Sequence, residues 1–377
     1  MGFEQELASQ NEDTNHPDSG DLRLWRCALT WWEAQRSTTR TSSVRGSGAI
    51  SLLEESFSSM LGGRRAVALA NATMGLRCAL QAAGVSARDE VLVNGADWPA
   101  ARAAVRSLGA VPKAMPIDVS TLNTDVTRVA SYRTSRTRAV VVTHLHGVAT
   151  DVAELRRNIG ADLPIIEDAA QALGTTLGAN QVGTLGDYAV FSMGPGKVAS
   201  AGELGIVVCA TPELTRRVIA LSQHPLRQLL SGIHDPDASN LASRVSGFTA
   251  IVGAFQLAQW RNSVPELHRW ASDLRNLLEF HGATLVGASA QPGSVVALAP
   301  MNSSYFREDV ARDHRNAGRG ELIWSSSGAA LDSLLEPSDV ALYSSTLRRL
   351  RIVRAPSNST PSDGYSLHLA SGRKPLI

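Results

Sequence analysis

Apolar and polar positions along this chain settle into a regular rhythm between about residues 65 and 187. Short apolar runs bounded by Gly, Asp or Asn alternate with stretches of helical spacing. Val67-Ala68-Leu69-Ala70 reads as a buried strand, and a helix follows over 73–83. Glu90-Val91-Leu92-Val93 predicts a strand, 98–108 a helix closed by Gly109, and 111–117 another extended stretch. A strand is expected over 138–145, a helix from Asp151-Val152-Ala153-Glu154, and a strand again over 163–167. Strands alternating with helices of about 10–12 residues predict βαβ units and a mainly parallel sheet, an α/β fold. Beyond Asp187 the strict alternation stops, and short strands are expected over 188–192 and 205–210.

The flanks read differently. Residues 1–21 hold six acids (Glu4, Glu6, Glu12, Asp13, Asp18, Asp21) and no Lys or Arg, which predicts a flexible, solvated acidic tail. From Leu22 to Arg45 the chain is basic and then Ser/Thr-rich, which predicts a loop-rich entry to the fold. Ser51-Leu52-Leu53-Glu54 matches a capping box, opening a short helix that Gly62-Gly63 stop. Ile251, Ala254, Phe255 and Ala258 set a long amphipathic segment over 248–280, which Pro265 is expected to kink or break. That segment bridges to a second domain with strands expected at 294–298 and 321–324 and a loop at 355–363. The expected division is a tail (1–21), a large domain (22–261) and a small C-terminal domain (262–377).

Composition narrows the class. A chain of 377 residues can bury a large core and usually divides in two. A hydrophobic share of 44% with 19% charged residues is ordinary for a soluble protein. Net charge of +1 leaves no bulk electrostatic case for nucleic acid or an anionic membrane surface. No apolar run approaches the roughly 20 residues that span a bilayer, and no secretory signal is visible. Cys27, Cys78 and Cys209 are far apart, without a Cys-x-x-Cys pair, which points to a reducing cytoplasm.

Two runs carry the chemistry. Ile165-Ile166-Glu167-Asp168-Ala169-Ala170-Gln171 ends an apolar run in a carboxylate, and Phe191-Ser192-Met193-Gly194-Pro195-Gly196-Lys197 ends the next in a small-residue turn with a lysine. Pyridoxal phosphate needs such a pair: an amine to hold its aldehyde as a Schiff base, and an anion to keep its ring nitrogen protonated. Each residue also has a plainer reading. Lys197 suits a solvated turn, Asp168 a helix N-cap or turn, and Gln171 a helix surface rather than the ring's phenolic oxygen. Thr73 either caps the helix from Met74 or, with unpaired N–H groups and the hydroxyl of Ser192, meets a phosphate; the two are compatible. Trp98 either stacks on the ring or packs in the core. His144 and His146 lack acids or cysteines at metal-ligand spacing, so packing or hydrogen bonding is expected and no metal. Arg348, Arg349, Arg351 and Arg354 suit a solvated or substrate-anion-facing surface.

These residues, taken in order, form a resemblance. Asn71-Ala72-Thr73-Met74-Gly75-Leu76, Asp89-Glu90-Val91-Leu92-Val93, Val142-Thr143-His144-Leu145-His146-Gly147, the Asp168 and Lys197 runs, and Gly202-Glu203 resemble blocks of the DegT/DnrJ/EryC1/StrS aminotransferases over roughly 46–260. The resemblance implies a fold-type I transferase, a homodimer with its site at the subunit interface. It implies amino transfer from glutamate or glutamine to a keto-sugar or keto-cyclitol, in secondary metabolism such as antibiotic or amino-sugar biosynthesis. Met193 in its Phe-Ser-Met setting resembles the cyclitol branch. The resemblance further implies Lys197 as Schiff-base lysine and Asp168 as partner of the ring nitrogen. Gln171 and Trp98 would lie around the ring, with Ala72, Thr73 and Ser192 at the phosphate.

The family usually has Gly where Ala72 and Leu204 stand. Its Asn-Tyr-Arg element, which reaches the neighbouring subunit, has only Asn240 and Arg244 near its expected place. A dehydratase or aromatising enzyme of the same family, or a catalytically silent partner protein, stay open as alternatives.

Overall fold

Apolar runs decide the architecture, because most central strands carry successive apolar residues that must be buried on both faces. The computed structural model describes residues 19–35, 40–95, 97–118, 121, 123–195, 197–234, 236, 242–280, 295–300, 321–323 and 350–354. The first elements are α1 (Ser19–Ala34), α2 (Ala49–Met60), β1 (Arg65–Leu69), α3 (Ala72–Ala82), β2 (Glu90–Asn94), α4 (Ala100–Ser107) and β3 (Val111–Met115). There follow β4 (Thr137–Thr143), α5 (Val152–Ile159), β5 (Ile165–Asp168) and a small hairpin of β6 (Thr176–Leu177) and β7 (Asn180–Gln181). Then come β8 (Tyr188–Ser192), β9 (Gly205–Cys209), α6 (Pro212–Ser222), α7 (Pro225–Leu230) and α8 (Gly247–Phe280). Finally β10 (Val295–Pro300), β11 (Glu321–Ile323) and β12 (Leu350–Arg354) form an antiparallel three-stranded sheet.

The main sheet has seven strands in the order β1-β9-β8-β5-β4-β2-β3. The links from β3 through β2, β4 and β5 to β8 are parallel, and β9 is antiparallel to both its neighbours. Val67, Leu69, Val91, Val93, Val141, Ile166, Val190 and Val207 face α3, α4 and α6. Their strand neighbours face the other way. Ala66, Ala68, Phe191, Ile206 and Val208 meet α2 and α8, and Val140, Val142 and Ile165 meet α5.

Three sequence expectations change here. The loop-rich entry is instead α1, and residues 19–21, expected in the tail, begin it. Trp25 meets Phe248 edge-on at 6.1 Å between centroids, and Trp31 meets Phe255 at 5.8 Å. Leu24, Trp25, Ala28, Trp31 and Trp32 recur at helical spacing, so burial against α8 outweighs the polar residues between them. The capping box at Ser51 does not form: α2 starts at Ala49, whose N–H is met by the Thr41 hydroxyl at 3.1 Å. Pro265 does not break α8, which is helical from Gly247 to Phe280. Residues 1–18 and 355–363 lie outside the described ones. Among the described residues no helix is long and apolar enough to cross a membrane, and all three cysteines are free thiols.

Glu54, freed from capping, is a buried tie between elements. It accepts the Ala68 N–H at 2.8 Å and two contacts from Arg227 at 2.9 and 2.7 Å. Arg227 also donates to Gln223, whose amide reaches back to the Ala68 carbonyl at 3.3 Å. Burial pushes the Glu54 carboxyl above its ordinary pKa, and the Arg227 charge opposes that. Arg227→Met should therefore destabilise the fold by about 3–5 kcal/mol, since it strands a buried carboxylate. Denaturant unfolding checks this, and the double variant with Glu54→Gln should recover part of the loss.

Tyr188, at the start of β8, buries its hydroxyl with no hydrogen-bond partner among the described residues. Tyr188→Phe is expected to be neutral or stabilising by up to about 1 kcal/mol. A clear loss in the same unfolding experiment would mean that a bound water satisfies the hydroxyl.

Candidate functional site

One edge of the sheet gathers the polar residues. In open α/β sheets the crevice beyond the carboxyl ends of parallel strands takes the ligand. Here that edge carries Asn94 at the end of β2, Thr143 at the end of β4, Asp168 at the end of β5 and Ser192 at the end of β8. Thr143 and Asp168 are register partners, so their Cα atoms sit side by side.

Asp168 is 5% exposed, and its carboxylate accepts the Ala170 N–H at 3.1 Å. A turn follows it, so the helix N-cap reading does not hold and Gln171 lies half-buried in that turn rather than on a helix surface. Burial raises the Asp168 pKa, while the Ala170 N–H, the Lys197 charge and His144 pull it down. Lys197 is thus close enough to Asp168 to act on it electrostatically. The two residues singled out from the sequence come together.

Lys197 rides on the connection from β8 to β9. The Met193 N–H donates to the Leu204 carbonyl and the Ala201 N–H to the Met193 carbonyl, both at 2.8 Å, which closes the base of that loop. The Lys197 N–H bonds the Gly194 carbonyl at 3.2 Å, a tight turn that leaves its side chain partly buried. Leu204 is fully buried and packs with Leu53 of α2 and Gly253 of α8. Its side chain belongs to the core, on the face away from Ile166.

The helix α3 opens at the same edge. Its N-cap is Asn71, whose side chain accepts the Met74 N–H at 2.9 Å, so Thr73 is not the cap. The N–H groups of Ala72 and Thr73 stand in the first turn, where no intrahelical acceptor exists, and Thr73 is exposed. Gly205 packs directly on this turn: a Cβ there would lie 2.3 Å from the Asn71 carbonyl carbon. Gly205 also pairs with Ser192, whose hydroxyl oxygen accepts the Gly194 N–H at 3.2 Å. Together these groups make an electropositive cradle of N–H donors and hydroxyls, suited to a phosphate.

Trp98 follows β2 and is 66% exposed, so the core-packing alternative does not hold. Helix α4 starts two residues later at Ala100, not at 98. Asp97 was not singled out by sequence reasoning, yet it is buried at the same edge. Its carboxylate accepts the Thr143 hydroxyl at 2.8 Å and the Trp98 N–H at 2.7 Å. The available signal was position: an acid just beyond a parallel strand, as Asp168 is.

Behind the site, His144 is buried and hydrogen-bonded as expected of a non-metal histidine. Its Nδ1 accepts the Thr150 N–H at 3.0 Å, so Nε2 carries the proton toward Glu167, also at 3.0 Å. The side chain of His146 and all of Asn240, Arg348 and Arg349 lie outside the described residues. Arg351 and Arg354 lie on β12. Arg244 bridges Leu69 of β1, and the Ser243 carbonyl accepts the Ala70 N–H at 2.8 Å, which lays this segment beside the edge.

Known proteins resemble this chain in sequence and in fold. Residues 34–307 match the DegT/DnrJ/EryC1/StrS aminotransferase family. L-glutamine:2-deoxy-scyllo-inosose aminotransferase of Streptomyces fradiae is 38% identical over 195 residues, 51% of this chain and 46% of that protein. The chain therefore spans about half the length of that relative. 3-Amino-5-hydroxybenzoate synthase of Amycolatopsis mediterranei is 33% identical over 288 residues, 74% of this chain and 72% of its own. Among solved structures, an aminotransferase from Brucella abortus superposes with a TM-score of 0.71 at 18% identity, covering 94% of this chain and 95% of its own. A 3-amino-5-hydroxybenzoic acid synthase structure gives 0.70 at 23% identity, covering 88% and 90%. Both share the fold. With a family match across most of its length, this chain belongs to the DegT/DnrJ/EryC1/StrS aminotransferase family.

Proposed function

We propose that this protein is a pyridoxal phosphate-dependent aminotransferase that moves an amino group from glutamine or glutamate to a keto-cyclitol or keto-sugar. The observation that carries it is the approach of the Lys197 charge to the buried Asp168 carboxylate at the carboxyl edge of parallel strands. The residues fit the cofactor: an amine, a buried acid, and a helix N-terminus against which Gly205 leaves no room for a side chain.

When bound, pyridoxal phosphate supplies a conjugated electron sink and an aldehyde that exchanges amines. Lys197 would hold the cofactor's aldehyde through Nζ, and the same Nζ, when free, would serve as the base for the donor's Cα proton. Asp168 would keep the ring nitrogen protonated. The N–H groups of Ala72 and Thr73, with the hydroxyls of Thr73 and Ser192, would bind the phosphate. Gln171 would orient the ring by a hydrogen bond, and Trp98 would pack against it.

The relatives' names support a ring substrate, and that of the Streptomyces fradiae protein specifies glutamine and a deoxy-inosose. The Amycolatopsis relative, an aminobenzoate synthase, supports a second reading in which the ring is also dehydrated and aromatised. The silent-partner reading loses one of its supports, because Leu204 fills the core rather than the site. We further infer a homodimer working in a reducing cytoplasm, with a large cofactor domain over 22–261 and a small domain over 262–377.

Incubation with pyridoxal phosphate followed by borohydride should fix a phosphopyridoxyl group on the peptide bearing Lys197. Label on another lysine, or equal labelling of Lys197→Ala, would overturn the assignment. In single-turnover assays with glutamine and a panel of keto-cyclitols and keto-sugars, one donor amine should be consumed per aminated product. Loss of water from the ring without donor consumption would favour the dehydrating alternative. No reaction of the donor with loaded protein would favour a silent partner.

A further inference from the structure

We propose that Asp97 is a positioning residue of this site, the neutral half of a carboxyl pair whose charged half is Asp168. The inference rests on the cofactor reading above for its purpose, but not for its chemistry. Asp97 is 5% exposed, as is Asp168, so both acids are largely shielded from bulk solvent. The Thr143 hydroxyl binds Asp97, and Thr143 is the register partner of Asp168. The two acids therefore flank one residue at the end of β4. Two carboxylates this close in a dry setting cannot both ionise cheaply, so the pair holds one proton.

The groups facing the pair, Arg102 apart, agree on which acid keeps the proton. Asp168 faces Lys197 and His144, both of which favour its anion. Asp97 faces Asp168 and Arg102, and the effects that favour its proton, burial first and the Asp168 charge second, outrank the Thr143 and Trp98 bonds and the Arg102 charge. Its carboxyl is held well above the ordinary aspartate range. One negative charge for the pair matches one ring cation, leaving no surplus anion beside the phosphate. Through the Trp98 N–H, 2.7 Å from its carboxyl, Asp97 also fixes the backbone of the residue set to cover the ring.

The test compares wild type with Asp97→Asn, an isostere of the protonated acid, and with Asp97→Leu, which removes both bonds. For an acid with a raised folded-state pKa, the unfolded chain releases the proton first as pH climbs. Stability is then lost progressively above the ordinary aspartate value of about 4 until the raised value is reached. Melting of cofactor-free protein should thus show Asp97→Asn equal to wild type near the bottom of that window and increasingly more stable toward pH 8. If Asp97 is instead ionised and paired with Arg102, Asp97→Asn will melt lower than wild type at pH 8, and the proposal fails. By titration with pyridoxal phosphate at neutral pH, Asp97→Asn should bind within about threefold of wild type and Asp97→Leu more than tenfold weaker. Asn binding as poorly as Leu, or Leu binding like wild type, overturns the positioning role. Failure of wild type to bind the cofactor would instead strike the aminotransferase reading, while the melting comparison still decides the charge on Asp97.

Discussion

Two adjacent acids at the end of β5 point to opposite faces of the sheet, and the geometry of the whole edge depends on that division. Strand pleating makes it unavoidable: Ile165 and Glu167 share one face, Ile166 and Asp168 the other. Glu167 accepts N–H groups from Gly183 at 2.7 Å, Leu185 at 2.9 Å and Gly186 at 2.5 Å, besides the His144 ring. Burial raises its pKa, but the bond from the His144 ring and those backbone donors outweigh burial and hold it below the ordinary range. Asp168, with one backbone donor and another acid for company, ends above it. The first acid is wholly satisfied by protein. The second has one backbone donor and the Lys197 charge acting on it, which suits it to a ligand rather than to the scaffold.

This division explains why the supporting shell is so heavily built. His144 is locked by Thr150 on one side and Glu167 on the other, and its own N–H donates to the Asp168 carbonyl at 3.0 Å. The loop after the small hairpin is pinned to Glu167 by three N–H donors. The end of β5 is thus held from behind by a closed network, so the front-facing carboxylate is placed by bonds that do not involve it. A buried network of this kind specifies geometry as long as each member is satisfied.

Much of this was readable in the chain, because the relevant signals are local. Most central strands are built on apolar runs, and the strands of the main sheet and the helices between them fall within a few residues of where periodicity puts them. Lys197, Asp168, Ser192 and Thr73 arrive at one edge because parallel topology brings strand ends together. What was illegible depends on distant partners. Helix α1 exists because its tryptophans meet Phe248 and Phe255, more than two hundred residues away, and local composition argued for loop. Glu54 left its expected cap for Arg227, a partner far off in sequence. Asn71 rather than Thr73 became the cap because the helix began two positions earlier, a difference below the resolution of periodicity. Asp97 escaped notice because nothing local distinguishes a buried acid after a strand from a turn acid.

Strand β9 runs against its neighbours and lies between β1 and β8, so the start of α3 and the Ser192 hydroxyl are held apart by an interposed chain. Two strand spacings amount to roughly 9–10 Å, more than one tetrahedral anion spans if a side chain stood between. At the crossing point β9 presents Gly205, with only hydrogen above its Cα. The missing side chain lets the Asn71–Ala72 peptide close directly onto β9, which draws the N–H groups that open α3 in toward the Ser192 bank. Any methyl group there would collide with that peptide and push the start of α3 off the sheet.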